Sequence, residues 1–182
     1  ERLARTVVHR PWAFLTAGLV VLLAAAGVAT GLDVTPGSIS SIPGRSESIR
    51  GSELLRDQLG PGVAAPTQVV VDTGAPGGAR SGYDRAAIVR LVNELAPDPE
   101  VRAVAYGRRK PYVDASGRHA KVVVVGLHDY GAPETQSLVQ RIRRDLVPAA
   151  GFPAGTIVVA GGPPPQGVDF VARSYGAFPW LV

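Results

Sequence analysis

The fold is decided by residues 101–127, VRAVAYGRRKPYVDASGRHAKVVVVGL. The two ends of this stretch, 101–106 and 119–127, are short and rich in valine, which is typical of β-strands. The loop between them, 107–118, contains Asp114-Ala-Ser-Gly117, a sequence that favours a tight turn. Two strands therefore follow each other without an intervening helix, and we expect a hairpin.

A strand and a helix lie on each side of this hairpin. Upstream we predict a strand at 67–73 and a helix over 84–95 that Asp84 caps. Downstream we predict a helix over 133–146 and a strand at 156–160. The order strand, helix, strand, strand, helix, strand predicts an α+β, ferredoxin-like (βαββαβ) domain. Its helices would cover one face of a four-stranded sheet and leave the other for a partner, a ligand or water.

Residues 11–32 form an apolar run without a charged side chain. As a helix the run would be about 33 Å long, close to the roughly 30 Å thickness of the hydrocarbon core of a membrane. Arginines precede the run and Asp33 follows it, so the positive-inside rule places residues 1–10 in the cytoplasm. We therefore predict a transmembrane helix at 11–32. A signal peptide cleaved near Ala26–Gly31 and a buried core helix are the alternatives.

The apolar run and the strand pattern divide the chain into segments. Residues 33–65 are predicted as a linker and a helix, and residues 66–162 as the α+β domain. Residues 163–182 begin with three prolines, expected to be extended, and continue as the truncated approach to a second transmembrane helix. Since the chain begins with Glu1 rather than Met, we expect it to be a fragment of a longer protein.

Composition excludes several classes of protein. The chain has no Cys, so it has no disulfide framework, no thiolate zinc site and no thiol nucleophile. Its net charge of +4 is concentrated near the ends, because residues 33–169 carry 15 basic and 14 acidic side chains. This distribution is not the footprint of a nucleic-acid-binding protein. The predicted strands 67–73 and 119–127 also lack the aromatic residues on which RNA bases stack.

The sequence contains no convincing catalytic, cofactor-binding or metal-binding constellation. The glycine-rich loop at 74–82 fits no phosphate-binding motif and is interpreted as a flexible turn. His119 and His128 are nine positions apart, which places them on opposite faces of a strand. The sharpest cluster is Arg108, Arg109 and Lys110, for which contact with a phosphate or a lipid headgroup is the functional interpretation. A solvated hairpin tip is the alternative.

The order of these features resembles the mycobacterial membrane protein large (MMPL) branch of the resistance-nodulation-division (RND) transporters. The matching residues lie before the first apolar helix, at the start of the first strand, in the hairpin and before the tail. They are Arg10-Pro11, Ile42-Pro43-Gly44, Ser46, Leu55, Leu59-Gly60, Pro66 to Val71, Ser116-Gly117, Val122 to Val125, Val159 to Gly162 and Asp169. The prolines at 163–165 depart from the family pattern.

The resemblance implies a multi-pass plasma-membrane exporter that uses the proton gradient and is not an enzyme. Its cargo would be lipids or other amphipathic compounds. Residues 33–170 would be extracytoplasmic, with residues 66–162 as the ferredoxin-like porter domain. The partners would be the bilayer, the remaining membrane helices, a second porter domain and the cargo, without nucleic acid or cofactor. The proton relay of the family lies in a later helix, so no catalytic residue is carried over. A single-span anchored binding domain and a secreted enzyme are the alternatives.

Overall fold

The computed structural model of the protein describes residues 11–29 and 47–177. The chain separates into two compact units that divide between Val34 and Thr35, and each unit is described by itself. The predictions made for residues 1–10, 30–46 and 178–182 lie outside the described residues.

The described part of the first unit is one helix, α1 (Pro11–Ala29), of 19 residues. It has no charged residue, and all of its described side chains, from 11 to 27, are exposed. The segment is helical, as the sequence predicts. No helix within the described ranges meets the length and hydropathy that crossing a membrane requires.

The second unit contains the sheet and the helices that pack against it. Its principal elements are α2 (Glu47–Leu59), β1 (Thr67–Asp72), α3 (Gly82–Leu95), β2 (Val101–Ala105), β3 (His119–Gly126), α4 (Pro133–Arg141), α5 (Val147–Ala149), β4 (Ile157–Gly161) and α6 (Pro163–Ala177). Short 3-10 turns lie at Pro61–Ala64 and Gly78–Arg80, and a π-helical segment, Ile142–Leu146, joins α4 to α5.

The four strands form one antiparallel sheet in the order β2-β3-β1-β4. Residues 101–127 form the hairpin expected from the sequence, with Val104 opposite Val124. Strand β1 lies between β3 and β4, so that Val70 is opposite both Lys121 and Val159. The chain is therefore a mixed α+β protein with a four-stranded sheet, and its strand positions agree with those predicted to within one residue.

The hydrophobic core lies between the sheet and α3, α4 and the π-helical segment. Alternate residues of the two central strands are fully buried, as a period of two requires. The largest buried side chains from the two sides are Val69, Val71, Val122, Val124, Ile88, Leu91, Leu95, Leu138 and Ile142. The apolar stripes of both predicted helices therefore face the core.

The predicted capping role of Asp84 is wrong. Helix α3 begins at Gly82, and Asp84 lies inside its first turn. Its carboxylate accepts a hydrogen bond from the Thr156 hydroxyl at 2.6 Å, which links α3 to the start of β4. A negative charge in this turn still interacts favourably with the helix dipole.

The sequence predicts an extended conformation for the three prolines at 163–165, and this prediction is wrong. The prolines form the first turn of α6. The N–H groups of a first helical turn have no intrahelical acceptor, so prolines there lose no hydrogen bond. The first backbone bond of this end runs from the Gln166 N–H to the Gly162 carbonyl at 3.0 Å. Gly162 precedes the helix with a φ of +101°, a conformation that favours glycine.

The glycine-rich loop at 74–82, interpreted from the sequence as a flexible turn, makes hydrogen bonds to another loop. It contains the Gly78–Arg80 turn, in which Ala79 is buried. The N–H groups of Gly77 and Ala79 donate to the carbonyls of Ser116 and Gly117, each at 2.9 Å. These bonds hold the loop against the tip of the β2–β3 hairpin.

Candidate functional site

The predicted basic cluster lies beside a cleft on the hairpin end of the α+β domain. Arg108 and Arg109 line this cleft together with Arg80, which comes from the loop between β1 and α3. The cleft has a volume of about 580 Å³, within the range of small-ligand sites. We call it the arginine cleft. The sequence indicated two of its three arginines, but Arg80 is 28 positions before Arg108 and could not be assigned to the cleft without the fold.

Arg80 is held in position by the hairpin tip. Its Nη2 donates to the carbonyl oxygens of Asp114, at 2.8 Å, and Ala115, at 2.9 Å. Its side chain passes directly over Gly117, where a Cβ would come within 3.1 Å of the Arg80 Cδ. The hydrogen bonds between the two loops therefore fix one wall of the arginine cleft.

The segment that carries Arg108 and Arg109 folds back along β3. The N–H groups of Tyr112 and Val113 both donate to the Arg109 carbonyl, at 2.9 and 3.1 Å. Val113 pairs with Ala120, and the Lys121 N–H donates to the Tyr112 carbonyl at 2.7 Å. The predicted loop at 107–118 is therefore tied to β3 on one side.

Lys110 is separated from the two arginines. It lines a neighbouring groove of about 470 Å³ beside the sheet. The other residues of this groove are Val70, Pro111, Tyr112, Val113, Asp114, His119, Ala120 and Lys121. The structure therefore brings Arg108 and Arg109 to one site with Arg80 and places Lys110 at another.

The sheet face opposite the helices is mainly apolar, with Gln68 opposite Val123 and Lys121 opposite Val70 on its two central strands. Val70, Val123 and Val125 are half-buried by their neighbours, and the edge strand exposes Ile157 and Val159. Val159 lies opposite Val70, which makes the apolar patch continuous from β4 to β1. We call these five residues the open sheet face.

A carboxylate and a histidine that the sequence did not bring together form a second polar site. Glu100 is only 5% exposed, and its Oε1 accepts hydrogen bonds from the Thr135 hydroxyl at 3.0 Å and the His128 N–H at 3.1 Å. The Nδ1 of His128 lies 2.6 Å from the Glu100 Oε2. The register of the β2–β3 hairpin is the feature that would have indicated the Glu100–His128 pair. Val101 lies opposite Gly126, which brings the residues flanking the two strands together.

A bidentate ion pair adjoins this site. The Arg141 Nη2 and Nε donate to the two carboxylate oxygens of Asp98 at 2.7 and 2.9 Å. The Asp98 side chain is 7% exposed, and its Oδ1 also accepts from the Glu100 N–H at 2.9 Å. Burial raises the pKa of Asp98, but the hydrogen bonds from Arg141 and Glu100 outweigh it and leave the pKa below its ordinary value.

The Glu100–His128 pair predicts a pH dependence. The hydrogen bond to Glu100 raises the pKa of His128 above 6.5, against a smaller opposing effect of burial. Protonated His128 is therefore favoured by folding, and its contribution to stability is present below pH 6.5 and lost as the pH rises through the raised pKa. NMR titration should give His128 a pKa above 6.5, and Glu100→Gln should lower it. The His128→Gln variant identifies the resonance. A His128 pKa that Glu100→Gln leaves unchanged would contradict this assignment.

The other residues considered from the sequence have structural partners. Asp72 forms a bidentate pair with Arg118, at 2.6 and 2.8 Å, and accepts from the Gly74 N–H, and these bonds hold its pKa below the ordinary value. Asp129 accepts the Gly131 N–H at 3.3 Å within a turn. His119 lies beside Asp72 and Asp114, at the opposite end of β3 from His128. Within residues 11–29 and 47–177, no three His, Asp or Glu side chains are grouped to hold a metal ion.

Comparison with known proteins gives no relative from which a role could be transferred. No family model matches the chain, and no curated protein matches it significantly. The function must therefore be argued from the sequence and from the geometry described above.

Proposed function

We propose that the chain forms the first membrane helix and the porter domain of a proton-driven exporter of lipids or other amphipathic compounds, of the MMPL type. One observation carries the proposal most strongly. It is the combination of a βαββαβ chain order with the strand order β2-β3-β1-β4 and a sheet whose core helices pack on one face. In this interpretation the second unit is a ferredoxin-like domain.

The N-terminal segment supports a membrane location. Helix α1 exposes apolar side chains along its described length and has no charge. In the sequence the charge-free run continues to Leu32, which gives 22 residues, and Arg2, Arg5 and Arg10 precede it. A run of about 20 apolar residues is the length that crosses a bilayer. The arginines favour a cytoplasmic N-terminus, with residues 33–170 on the outer side.

The open sheet face supports a role in moving amphipathic cargo. Val70, Val123 and Val125 lie on its inner strands beside Gln68 and Lys121, and on the edge strand Ile157 and Val159 are 59% and 54% exposed. An exposed apolar patch rimmed by polar residues marks a site of interaction. In the proposed exporter this face pairs with the corresponding domain of the second half, and the paired domains form an apolar wall along the cargo path.

The competing proposal is a single-span, membrane-anchored extracytoplasmic domain that binds a partner without transport. Both proposals include α1 and the α+β domain. The sequence that follows Val182 in the reading frame therefore distinguishes the anchored domain from the exporter. An exporter requires about five further apolar segments of roughly 20 residues, one containing Asp and Tyr for the proton relay. A reading frame that stops soon after Val182, or continues with polar sequence, would contradict the exporter.

A further inference from the structure

The arginine cleft collects positive charge without a carboxylate to balance it. Three other arginines of the domain, Arg118, Arg141 and Arg143, each form a bidentate pair with an aspartate. Among the described residues, no carboxylate lies within 4.0 Å of Arg80, Arg108 or Arg109. The nearest acidic side chain in the hairpin tip, Asp114, is already bonded to the Ser116 hydroxyl and the His119 N–H.

We propose that the arginine cleft binds a phosphate group, carried either by a lipid headgroup or by a small soluble phosphate. The described residues that line the cleft all belong to the α+β domain. Phosphate binding at the cleft therefore does not depend on the exporter proposal.

One arginine of the cleft is already positioned for a ligand. Arg80 uses only its Nη2 for the carbonyls of Asp114 and Ala115. Its Nε and Nη1 have no acceptor among the described residues. Because the hairpin tip holds the guanidinium, little side-chain entropy is lost when its remaining donors bind an anion.

Backbone hydrogen bonds hold the turn that carries the other two arginines, Arg108 and Arg109. The Arg109 carbonyl accepts the N–H groups of Tyr112 and Val113, which fixes the turn from which both arginines extend. Neither the Arg108 nor the Arg109 guanidinium has a hydrogen-bond acceptor among the described residues. Two complete guanidinium groups and the free donors of Arg80 therefore surround one cleft.

A tyrosine lies close to the loop that carries Arg80. Tyr106 is half-buried, and its hydroxyl lies 3.5 Å from the Ala79 carbonyl, next to Arg80. Burial raises the pKa of its phenol, and the charges of Arg85 and Arg108 act in the opposite direction. The Arg85 Nε is buried without a hydrogen-bond partner. Arg85 and Arg108 therefore both lie near the Tyr106 phenol.

The ligand class follows from this chemistry. Guanidinium groups bind phosphate oxygens through paired, charge-assisted N–H···O bonds, and several arginines around one volume suit a group with more than one negative charge. The volume of about 580 Å³ holds a phosphorylated headgroup or a small phosphate. A nucleic acid would instead need a basic stripe and aromatic platforms.

The test is calorimetric titration of the full chain in uncharged detergent micelles. The probes are inorganic phosphate, inorganic pyrophosphate and short-chain dihexanoyl phosphatidic acid. The cleft variant is Arg108→Gln with Arg109→Gln, whose unfolding midpoint should remain close to that of the wild type because these guanidinium groups form no hydrogen bond or ion pair with a described residue. The control, Arg56→Gln with Arg144→Gln, removes the same charge at two other exposed arginines.

We expect the wild type and the control to bind at least one probe, and the cleft variant to bind it at least about tenfold more weakly. Binding of inorganic phosphate or pyrophosphate identifies the phosphate group itself as sufficient, whereas binding of phosphatidic acid alone identifies a lipid headgroup. Arg109→Gln alone, with an intermediate loss, keeps the test valid if the double variant fails to fold. No binding of any probe to the wild type, or equal binding by cleft variant and control, would overturn the proposal.

Discussion

Replacing Arg141 by leucine should lower the free energy of unfolding by about 3 kcal/mol at neutral pH. The Asp98 side chain is only 7% exposed in the wild type. Without Arg141 its carboxylate keeps only the Glu100 N–H as a hydrogen-bond donor. The Glu100 residue that supplies this N–H is itself only 5% exposed, so little water replaces the lost guanidinium. Breaking a buried pair is costly because the remaining charge has lost its compensation, not because the pair itself contributes that amount. Urea unfolding of the full chain in detergent measures the change.

Arg143 provides a matched control two positions further along the chain. Its bidentate pair with Asp169 has similar distances, 2.6 and 3.0 Å. The two arginines are similarly exposed, 36% for Arg141 and 31% for Arg143, but Asp169 is 48% exposed where Asp98 is 7% exposed. Solvent screens such a pair, so Arg143→Leu should cost less than about 1 kcal/mol. Equal losses for the two variants would show that the burial of Asp98 is not the cause.

The Arg141→Leu effect should also depend on pH, with a definite sign. In the wild type the pKa of Asp98 is lowered, so its stabilising contribution is present above the ordinary pKa of 3.8 and is lost as the pH falls through the lower value. In the variant, burial acts without Arg141 and raises the pKa of Asp98. The difference in stability between wild type and variant should therefore narrow as the pH is lowered, because protonation removes the buried charge.

Gly162→Ala should destabilise the α+β domain by more than about 3 kcal/mol. Two costs combine at this position. The φ of +101° is unfavourable for any side chain, and a Cβ would lie 2.7 Å from the Pro66 carbonyl oxygen, a backbone atom that cannot move aside. Gly162 is where the chain leaves β4 and enters α6, so the variant disturbs the path towards the predicted second membrane helix. Thermal or urea unfolding measures the loss.

The neighbouring glycine supplies the control for this prediction. A Cβ on Gly161 would have no atom within 4 Å, and its φ is not positive. Gly161→Ala should therefore change the unfolding free energy by no more than about 0.5 kcal/mol. A Gly162→Ala variant as stable as Gly161→Ala would mean that the junction between β4 and α6 relaxes without strain.

The sequence predicted the elements well because their signals are local. The alternation that buries Val69, Val71, Val122 and Val124 is visible in the chain itself. The prolines at 163–165 misled the prediction because the same residues suit an extended segment and a first helical turn equally. What separates these outcomes is the fit of the preceding glycine against Pro66, which is a tertiary contact.

The polar sites were predicted less well because each joins distant segments. Arg108 and Arg109 stood out as neighbours, whereas Arg80 joins them only through hydrogen bonds between two loops. The Glu100–His128 pair depends on the register of the β2–β3 hairpin. A local charge pattern carries no information about register, so this pair was not among the sequence candidates.

We propose that an apolar helix anchors the α+β domain on the outer side of a membrane, and cysteine accessibility tests this directly. The chain has no Cys, so single-cysteine variants can be labelled without background. We would introduce Ala115→Cys, at the exposed hairpin tip, and Thr6→Cys, in the predicted cytoplasmic flank. Spheroplasts of a bacterial host that express each variant would be treated with a membrane-impermeant maleimide. We expect labelling of Ala115→Cys in intact spheroplasts and of Thr6→Cys only after permeabilisation. Protection of Ala115→Cys until permeabilisation would show that the domain does not lie on the outer side.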